Sequence, residues 1–212
     1  MNTRTQKDVR ERILREACGL MLSKGYTATT VDEICVAAGV TKGSFFHYFA
    51  SKERLGEEAL DAFFRMLEGH FSDGTFMNQP DPLERVFGYL RNIVDLSSSG
   101  TIPKSCLIGN FAQELSDINP NMRERRSRYF DGWIGGFTSL LDAAAERYGI
   151  AGKIDTRSIG EYLVSVLEGT IVVYEAQRDE NLLERNITHF RAYIQAVFQA
   201  HSATKQSVEG RS

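Results

Sequence analysis

The sequence predicts an all-α protein of about nine helices. Apolar residues recur at three- and four-residue spacing over most of the 212 residues, and no stretch alternates apolar and polar residues as a half-buried strand would. Capping residues stand before several of these stretches, and glycine or proline separates them. We expect an N-terminal three-helix domain at residues 1–52, a larger helical domain at 53–203 and a disordered tail at 204–212.

The first helix is expected at residues 7–23, and Lys24-Gly25 ends it. Its apolar face consists of Val9, Ile13, Leu14, Ala17, Cys18, Met21 and Leu22. Residues 1–6 are polar, and we expect them to be disordered.

Residues 29–52, TTVDEICVAAGVTKGSFFHYFASK, contain two short helical patterns joined by a glycine-valine turn. Thr30 can cap the first pattern, because Glu33 stands three residues later and completes a capping box. Gly39 is placed to end this helix. The stretch therefore predicts a helix-turn-helix.

The second of these helices begins after Thr41, which can cap it, and is only about two turns long. Such a helix is not stable alone and must be held by packing, which Phe45 and Phe49 can provide. Its polar residues then point away from the core, where they could hydrogen-bond phosphates and base edges.

The pattern T-x-x-x-I-x-x-x-A-G-V-T-K-G-S-F-x-x-Y-F-x-S-K-E-x-L, from Thr30 to Leu55, resembles the helix-turn-helix of the tetracycline-repressor (TetR) family of transcriptional regulators. Phe46 stands where many members carry a tyrosine whose hydroxyl contacts a phosphate. A helical hairpin used only for protein packing is the alternative. The residues expected to bind DNA are Thr30, Thr41, Lys42, Gly43, Ser44, His47, Tyr48 and Lys52.

The fourth helix is expected from Ser51, its cap, to about His70. Lys52 lies in its first turn, where a positive charge is unfavourable unless an anion is near. A DNA phosphate is the expected anion. Because this helix joins the two domains, a shift of its far end could move the DNA-binding helix.

The charges are unevenly distributed. Residues 1–52 carry 8 Lys and Arg against 5 Asp and Glu, whereas the remaining residues carry 17 against 23. A basic N-terminal module on an acidic body favours docking of that end onto a polyanion.

Several classes of protein are disfavoured. No apolar run approaches the length of a membrane span and no signal peptide begins the chain, so we expect a cytoplasmic protein without membrane contact. Three cysteines without a CxxC pair argue against a disulfide framework and a zinc site. No P-loop, GxGxxG, HExxH or GxSxG is present, so no cofactor, no metal and no enzymatic activity are expected.

Five more helices are expected in the C-terminal part. They begin at Pro82 after the cap Asp81, at Cys106 after the cap Ser105, at Pro120, after the cap Asp155, and after the RDEN sequence that precedes Leu182. The helix from Pro120 begins with four arginines that we expect to form a solvated face, namely Arg123, Arg125, Arg126 and Arg128.

The last two helices are apolar on more than one stripe, which usually means that a second chain covers part of them. In the TetR family the last two helices of each subunit form a four-helix dimer interface. The resemblance therefore implies a homodimer through these helices, and a two-fold protein implies a palindromic operator in double-stranded DNA.

The segment C-L-x-G-N-x-x-Q-E at residues 106–114 resembles a branch of the family that senses small electrophilic or short-chain unsaturated compounds. Cys106, in the first turn of its helix, would have a lowered thiol pKa. The alternative is a small packing residue. The effector pocket is expected to include Cys106, Asn110, Phe111, Gln113, Trp133, Phe137, Glu168 and Tyr174.

Glu168 has two interpretations. Its seven-residue spacing from Glu161 and Glu175 is typical of a solvent-facing stripe, whereas its apolar surroundings allow a side chain that points into a cavity. The sequence as a whole favours a ligand-responsive dimeric transcriptional repressor. A DNA-binding protein without an effector and an enzyme built on a helical bundle are the alternatives.

Overall fold

The computed structural model describes residues 3–72, 74–115 and 120–209, and nearly all of this length is helical. The helices are α1 Thr3–Lys24, α2 Val31–Ala38, α3 Lys42–Tyr48, α4 Lys52–Ser72, α5 Pro82–Ser98, α6 Leu107–Leu115, α7 Pro120–Arg147, α8 Thr156–Gln177 and α9 Leu182–Glu209, with a 3₁₀ turn at Thr75–Asn78. The described ranges hold no β-strand, which confirms the all-α prediction. No helix within them is long and apolar enough to span a membrane.

Both ends of the chain are more helical than the sequence suggested. α1 begins at Thr3, inside the segment expected to be disordered, and α9 continues to Glu209, beyond the start of the expected tail at 204. Neither stretch contains glycine or proline, so nothing in its backbone chemistry stops the helix. Residues 1–2 and 210–212 lie outside the described part of the chain.

Capping residues fix the start of four helices as predicted. In each case a side-chain oxygen of the residue before the helix accepts a backbone N–H from the first turn. These residues are Thr30, Thr41, Asp81 and Asp155. Gly39 ends α2 in the left-handed conformation, with φ 60° and ψ 44°.

The chain divides into two compact units. The first comprises Met1–Gly69 with Ser105–Tyr129, and the second comprises His70–Lys104 with Phe130–Ser212. α6 thus belongs to the same unit as α1, α2 and α3. The division into domains at residues 1–52 and 53–203 stays a prediction.

In the first unit the predicted apolar faces form the core. Its fully buried side chains include Ile13 and Met21 of α1, Ile34 of α2, Phe45 of α3, Leu55 and Leu60 of α4, and Leu107, Ile108 and Phe111 of α6. Cys35 of α2 is 5% exposed and belongs to this core. Cys18 is half-buried, and burial raises the pKa of its thiol to about 11.

The arginines at the start of α7 do not form a uniform solvated face. Arg125 donates from Nη1 to both oxygens of Asp61 on α4, at 2.6 and 2.9 Å. Arg126 is only 4% exposed and donates to the Phe111 carbonyl of α6 at 2.5 Å. The expectation of a solvated face was wrong for Arg126, because the carbonyl of Phe111, in the middle of α6, accepts a hydrogen bond from its buried guanidinium.

The core of the second unit is rich in aromatic rings. Tyr89 lies 5.2 Å from Phe137, and Phe137 lies 6.1 Å from Phe190, measured between ring centroids. Trp133 donates from Nε1 to the Tyr89 hydroxyl at 2.8 Å. Burial raises the pKa of Tyr89, so this phenol stays neutral.

Two glycines of the second unit should respond oppositely to alanine. A Cβ on Gly160 of α8 would lie 2.9 Å from Thr138 Oγ1 and 3.2 Å from the Ile134 carbonyl oxygen, whereas a Cβ on Gly136 of α7 meets open space. Gly160→Ala should lower the free energy of unfolding by about 1–3 kcal/mol through overpacking. Gly136→Ala should raise it by up to about 1 kcal/mol through helix propensity.

Urea unfolding of the two variants measures this difference. Equal effects of the two substitutions would contradict the close approach of α8 to α7 at Gly160.

Candidate nucleic-acid interface

α3 is a seven-residue helix held by two buried aromatic residues, Phe45 within it and Phe49 directly after it. Phe45 is fully buried and Phe49 is 2% exposed, and their ring centroids lie 5.9 Å apart. The Arg10 guanidinium of α1 lies 5.0 Å from the centre of the Phe49 ring. This packing fixes which side of α3 faces outward.

The outward side of α3 carries most of the residues predicted to bind DNA. Thr41, Lys42, Gly43 and His47 are exposed, and Ser44 and Tyr48 are half-buried. A Cβ on Gly43 would meet only Thr41 Oγ1, at an ordinary 3.8 Å, so packing does not require a glycine here. The predicted contact of Gly43 with DNA would instead account for it, since a glycine lets another backbone approach closely.

Thr30, also predicted to bind DNA, takes part in the capping box of α2. Its Oγ1 accepts the Glu33 N–H at 3.2 Å, and its own hydroxyl donates to Glu33 Oε2 at 2.8 Å. Lys24 donates to the other carboxylate oxygen. The Lys24 ammonium and the Thr30 donors lower the pKa of Glu33 to about 2.

Lys42, the first residue of α3, forms an ion pair with Asp32 of α2. Its Nζ lies 2.7 Å from Asp32 Oδ1, and the two side chains are 60% and 67% exposed. The hydrogen bond and the charge of Asp32 raise the pKa of Lys42. Sequence reasoning missed Asp32, because only the packing of α2 against α3 brings these residues together.

Lys52 has partners inside the first unit. Its Nζ donates to the carbonyls of Tyr26 and Thr29 at 2.9 and 2.8 Å, and it lies 4.2 Å from the centre of the Tyr26 ring. Burial lowers the pKa of this lysine. The contact between Lys52 and a DNA phosphate, which we expected from the sequence, stays a prediction.

Four of the predicted effector residues lie on or beside α6. Cys106 is 4% exposed and stands at the capping position rather than in the first turn, where its Sγ accepts the Gly109 N–H at 3.4 Å. The expected cap, Ser105, donates instead to the Leu22 carbonyl and accepts from the Asn110 amide, both at 3.2 Å. Phe111 is buried and Gln113 is exposed.

The other four predicted effector residues belong to the second unit. Phe137 is buried in its core, Trp133 is hydrogen-bonded to Tyr89, and Glu168 is half-buried on α8. The Tyr174 hydroxyl donates to Glu180 at 3.0 Å. The grouping of all eight residues in one pocket stays a prediction. No cluster of metal-binding side chains occurs in the part of the chain that the structure describes.

A short helix, a left-handed glycine and a second short helix whose exposed face is polar except for Phe46 are the parts of a helix-turn-helix DNA-binding domain. The family model "Bacterial regulatory proteins, tetR family" matches residues 13–59. The model "Tetracyclin repressor-like, C-terminal domain" matches residues 82–190, just over half of the chain. The chain belongs to the tetR family of bacterial regulatory proteins, whose members are transcriptional regulators and not enzymes.

Individual relatives extend over most of the chain. The HTH-type transcriptional repressor DhaR of Mycobacterium sp. (strain GP1) is 26% identical over 204 residues, 96% of this chain and 98% of that protein. The transcriptional regulator AcuR of Cereibacter sphaeroides is 32% identical over 166 residues, 76% of this chain and 74% of that protein. The crystal structure of a TetR transcriptional regulator from Chloroflexus aurantiacus superposes with a TM-score of 0.82 at 25% identity, covering 91% of this chain and 97% of that one.

The ion pair between Asp32 and Lys42 should weaken DNA binding, because the predicted contact of Lys42 with DNA requires its ammonium group to leave the carboxylate. Asp32→Asn should therefore tighten binding about two- to five-fold in low salt, since exposed ion pairs are weak, and the gain should vanish in high salt. Fluorescence anisotropy on a labelled duplex measures this change.

Asp8→Asn removes an exposed carboxylate from α1 and controls for net charge. In a Lys42→Gln background, Asp32→Asn should have no more effect than this control. If Asp32→Asn raised DNA affinity equally in the Lys42→Gln background, the gain would come from reduced repulsion between the Asp32 carboxylate and the DNA. That result would contradict an exchange of partners by Lys42.

Proposed function

We propose that this protein is a homodimeric transcriptional repressor that binds an inverted-repeat operator through α3 of each subunit and is released by a small molecule. The observation that supports it most is the exposed face of α3, which is polar except for Phe46 and is held in place by the buried Phe45 and Phe49. The name of the relative DhaR, a transcriptional repressor, supports repression over activation. Its proposed place of action is the bacterial cytoplasm, where operator DNA lies.

The dimer is proposed to form through α8 and α9. Large apolar side chains on these helices are 40–51% exposed, which a second copy of the chain would cover. They are Tyr162, Val172, Val173 and Tyr193. Gly169 of α8 has open space at its Cβ position, so a partner helix could approach closely there. Two-fold symmetry then places one α3 in each half-site.

Selection of duplexes from a randomised pool tests this proposal. We expect the recovered DNA to share an inverted repeat whose half-sites lie about one helical turn or somewhat more apart. The selected duplex should bind at least about 10³-fold more tightly than random DNA at physiological salt. Equal affinity for the two would contradict a specific regulator, and a site without symmetry would contradict the dimer.

The proposed effector is a small electrophilic or unsaturated molecule that reaches Cys106. Its Sγ accepts the Gly109 N–H, and a cysteine sulfur is the nucleophile that such molecules modify. With an unsaturated carbonyl compound, a sulfur–carbon bond would form at the β carbon and a proton would end on the α carbon. Because Cys106 is 4% exposed, the reaction requires a local opening of the first unit.

Cys106→Ser should require at least about ten-fold more acrylate or quinone to release the selected duplex, because serine lacks a nucleophilic thiolate at neutral pH. The measurement is a titration of the protein–DNA complex, with mass spectrometry to locate the adduct. Cys18→Ser is the control, because it removes a second thiol of the first unit that the proposal does not use. Release identical to that of the unmodified protein would remove Cys106 from the mechanism.

A further inference from the structure

Glu114 of α6 binds the turn that leads into the helix-turn-helix. Its Oε1 accepts the Tyr26 N–H at 3.0 Å, and its Oε2 accepts the Thr27 N–H at 2.6 Å. Gly25, with φ +87°, gives the backbone a bend in which successive N–H groups can point at one anion. One carboxylate thus bridges two consecutive amides of the α1–α2 turn, which we define as residues 25–30.

The carboxylate and the turn fit each other closely. A Cβ on Gly25 would lie 2.2 Å from Glu114 Oε1, so any other residue at this position would displace the carboxylate. The positive φ of Gly25 also disfavours any other residue. Glycine at this position therefore serves both the backbone bend and the bound carboxylate.

α6 and the residue before it make one contact with the end of α1 and another with the α1–α2 turn. Ser105, just before α6, donates to the Leu22 carbonyl at 3.2 Å, in the last turn of α1 where carbonyls lack helical partners. The Phe111 ring lies 4.9 Å from the Tyr26 ring in an edge-on arrangement. Polar contacts therefore bind both ends of α6: Ser105 at its start binds α1, and Glu114 near its end binds the α1–α2 turn.

The α1–α2 turn also accepts hydrogen bonds from α4 and contains a hydrogen bond of its own. Lys52 donates to the Tyr26 and Thr29 carbonyls, and the fully buried Thr29 donates from Oγ1 to the Gly25 carbonyl at 2.7 Å. The turn ends at Thr30, the cap of α2. Its conformation therefore sets where α2 begins and, through Gly39, where α3 lies.

We propose that Glu114 is a positioning residue for DNA recognition. Its carboxylate holds the α1–α2 turn in the conformation in which α3 fits its operator, and displacement of α6 releases that turn. Glu114 lies in the part of the chain matched by the C-terminal family model, and its two amide partners lie in the part matched by the N-terminal model. The inference rests on the proposed DNA-binding function and names a residue that regulates it.

The test compares Glu114→Gln with wild type on two probes, a duplex selected by the wild-type protein and a random duplex. Glutamine has nearly the same shape, but its NH₂ group faces a backbone N–H, so one of the two hydrogen bonds is lost. Affinity for the selected duplex should fall at least about ten-fold. Affinity for random DNA should stay within about three-fold, because no cation is removed.

The control is Glu124→Gln, which removes an exposed carboxylate of α7 and should change neither affinity beyond about two-fold. A second variant, Gly25→Ala, changes the turn instead of Glu114: its Cβ displaces the Glu114 carboxylate. It should cause the same loss of preference for the selected duplex over random DNA. Thermal melting of every variant establishes that it is folded at the assay temperature.

Three outcomes would overturn the proposal. Selected-duplex affinity within two-fold of wild type would leave Glu114 a purely structural role. A parallel fall of both affinities together with the melting temperature would indicate unfolding rather than positioning. If the wild-type protein itself does not discriminate between the duplexes, the proposed function fails, and the role of Glu114 in recognition fails with it.

Discussion

A helix of seven residues has too few internal hydrogen bonds to persist in water, and α3 is such a helix. Its existence depends on the burial of Phe45 and Phe49, and its orientation depends on whatever fixes the surrounding helices. The DNA-binding surface is therefore a property of the folded first unit and not of its local sequence. The short turns on either side of α2 carry much of this dependence, because a small change there would redirect α3.

Charge is a weaker determinant of this surface than the composition of residues 1–52 suggests. The lysines between residues 24 and 52 each have a partner within the protein: Lys24 pairs with Glu33, Lys42 pairs with Asp32, and Lys52 binds two carbonyls. An ammonium group that is already satisfied gains less from a phosphate than a solvated one does. In the proposed mode of binding, discrimination between DNA sequences would then rest on how well α3 fits the groove, since any DNA can compete for a lysine.

The sequence predicted what is decided within one helical turn. The capping box of Thr30 and Glu33 and the left-handed Gly39 follow from residues a few positions apart, and the structure confirms them. Contacts between residues far apart in the sequence could not be predicted. Glu114 and Tyr26 are 88 positions apart, and the residues around either one give no sign of a contact with the other. The prediction that Arg126 is solvated was wrong for the same reason, because the buried carbonyl that accepts its hydrogen bond belongs to another helix.

If the α1–α2 turn decides how α3 is presented, the amide hydrogens of Tyr26 and Thr27 must be protected by their bonds to Glu114. Amide hydrogen exchange, followed by NMR on the protein bound to its selected duplex, measures this most directly. We predict that these two amides exchange as slowly as those of the buried part of α1 around Ile13. Exchange of both amides at the rate of an exposed loop in the DNA-bound protein would contradict the account.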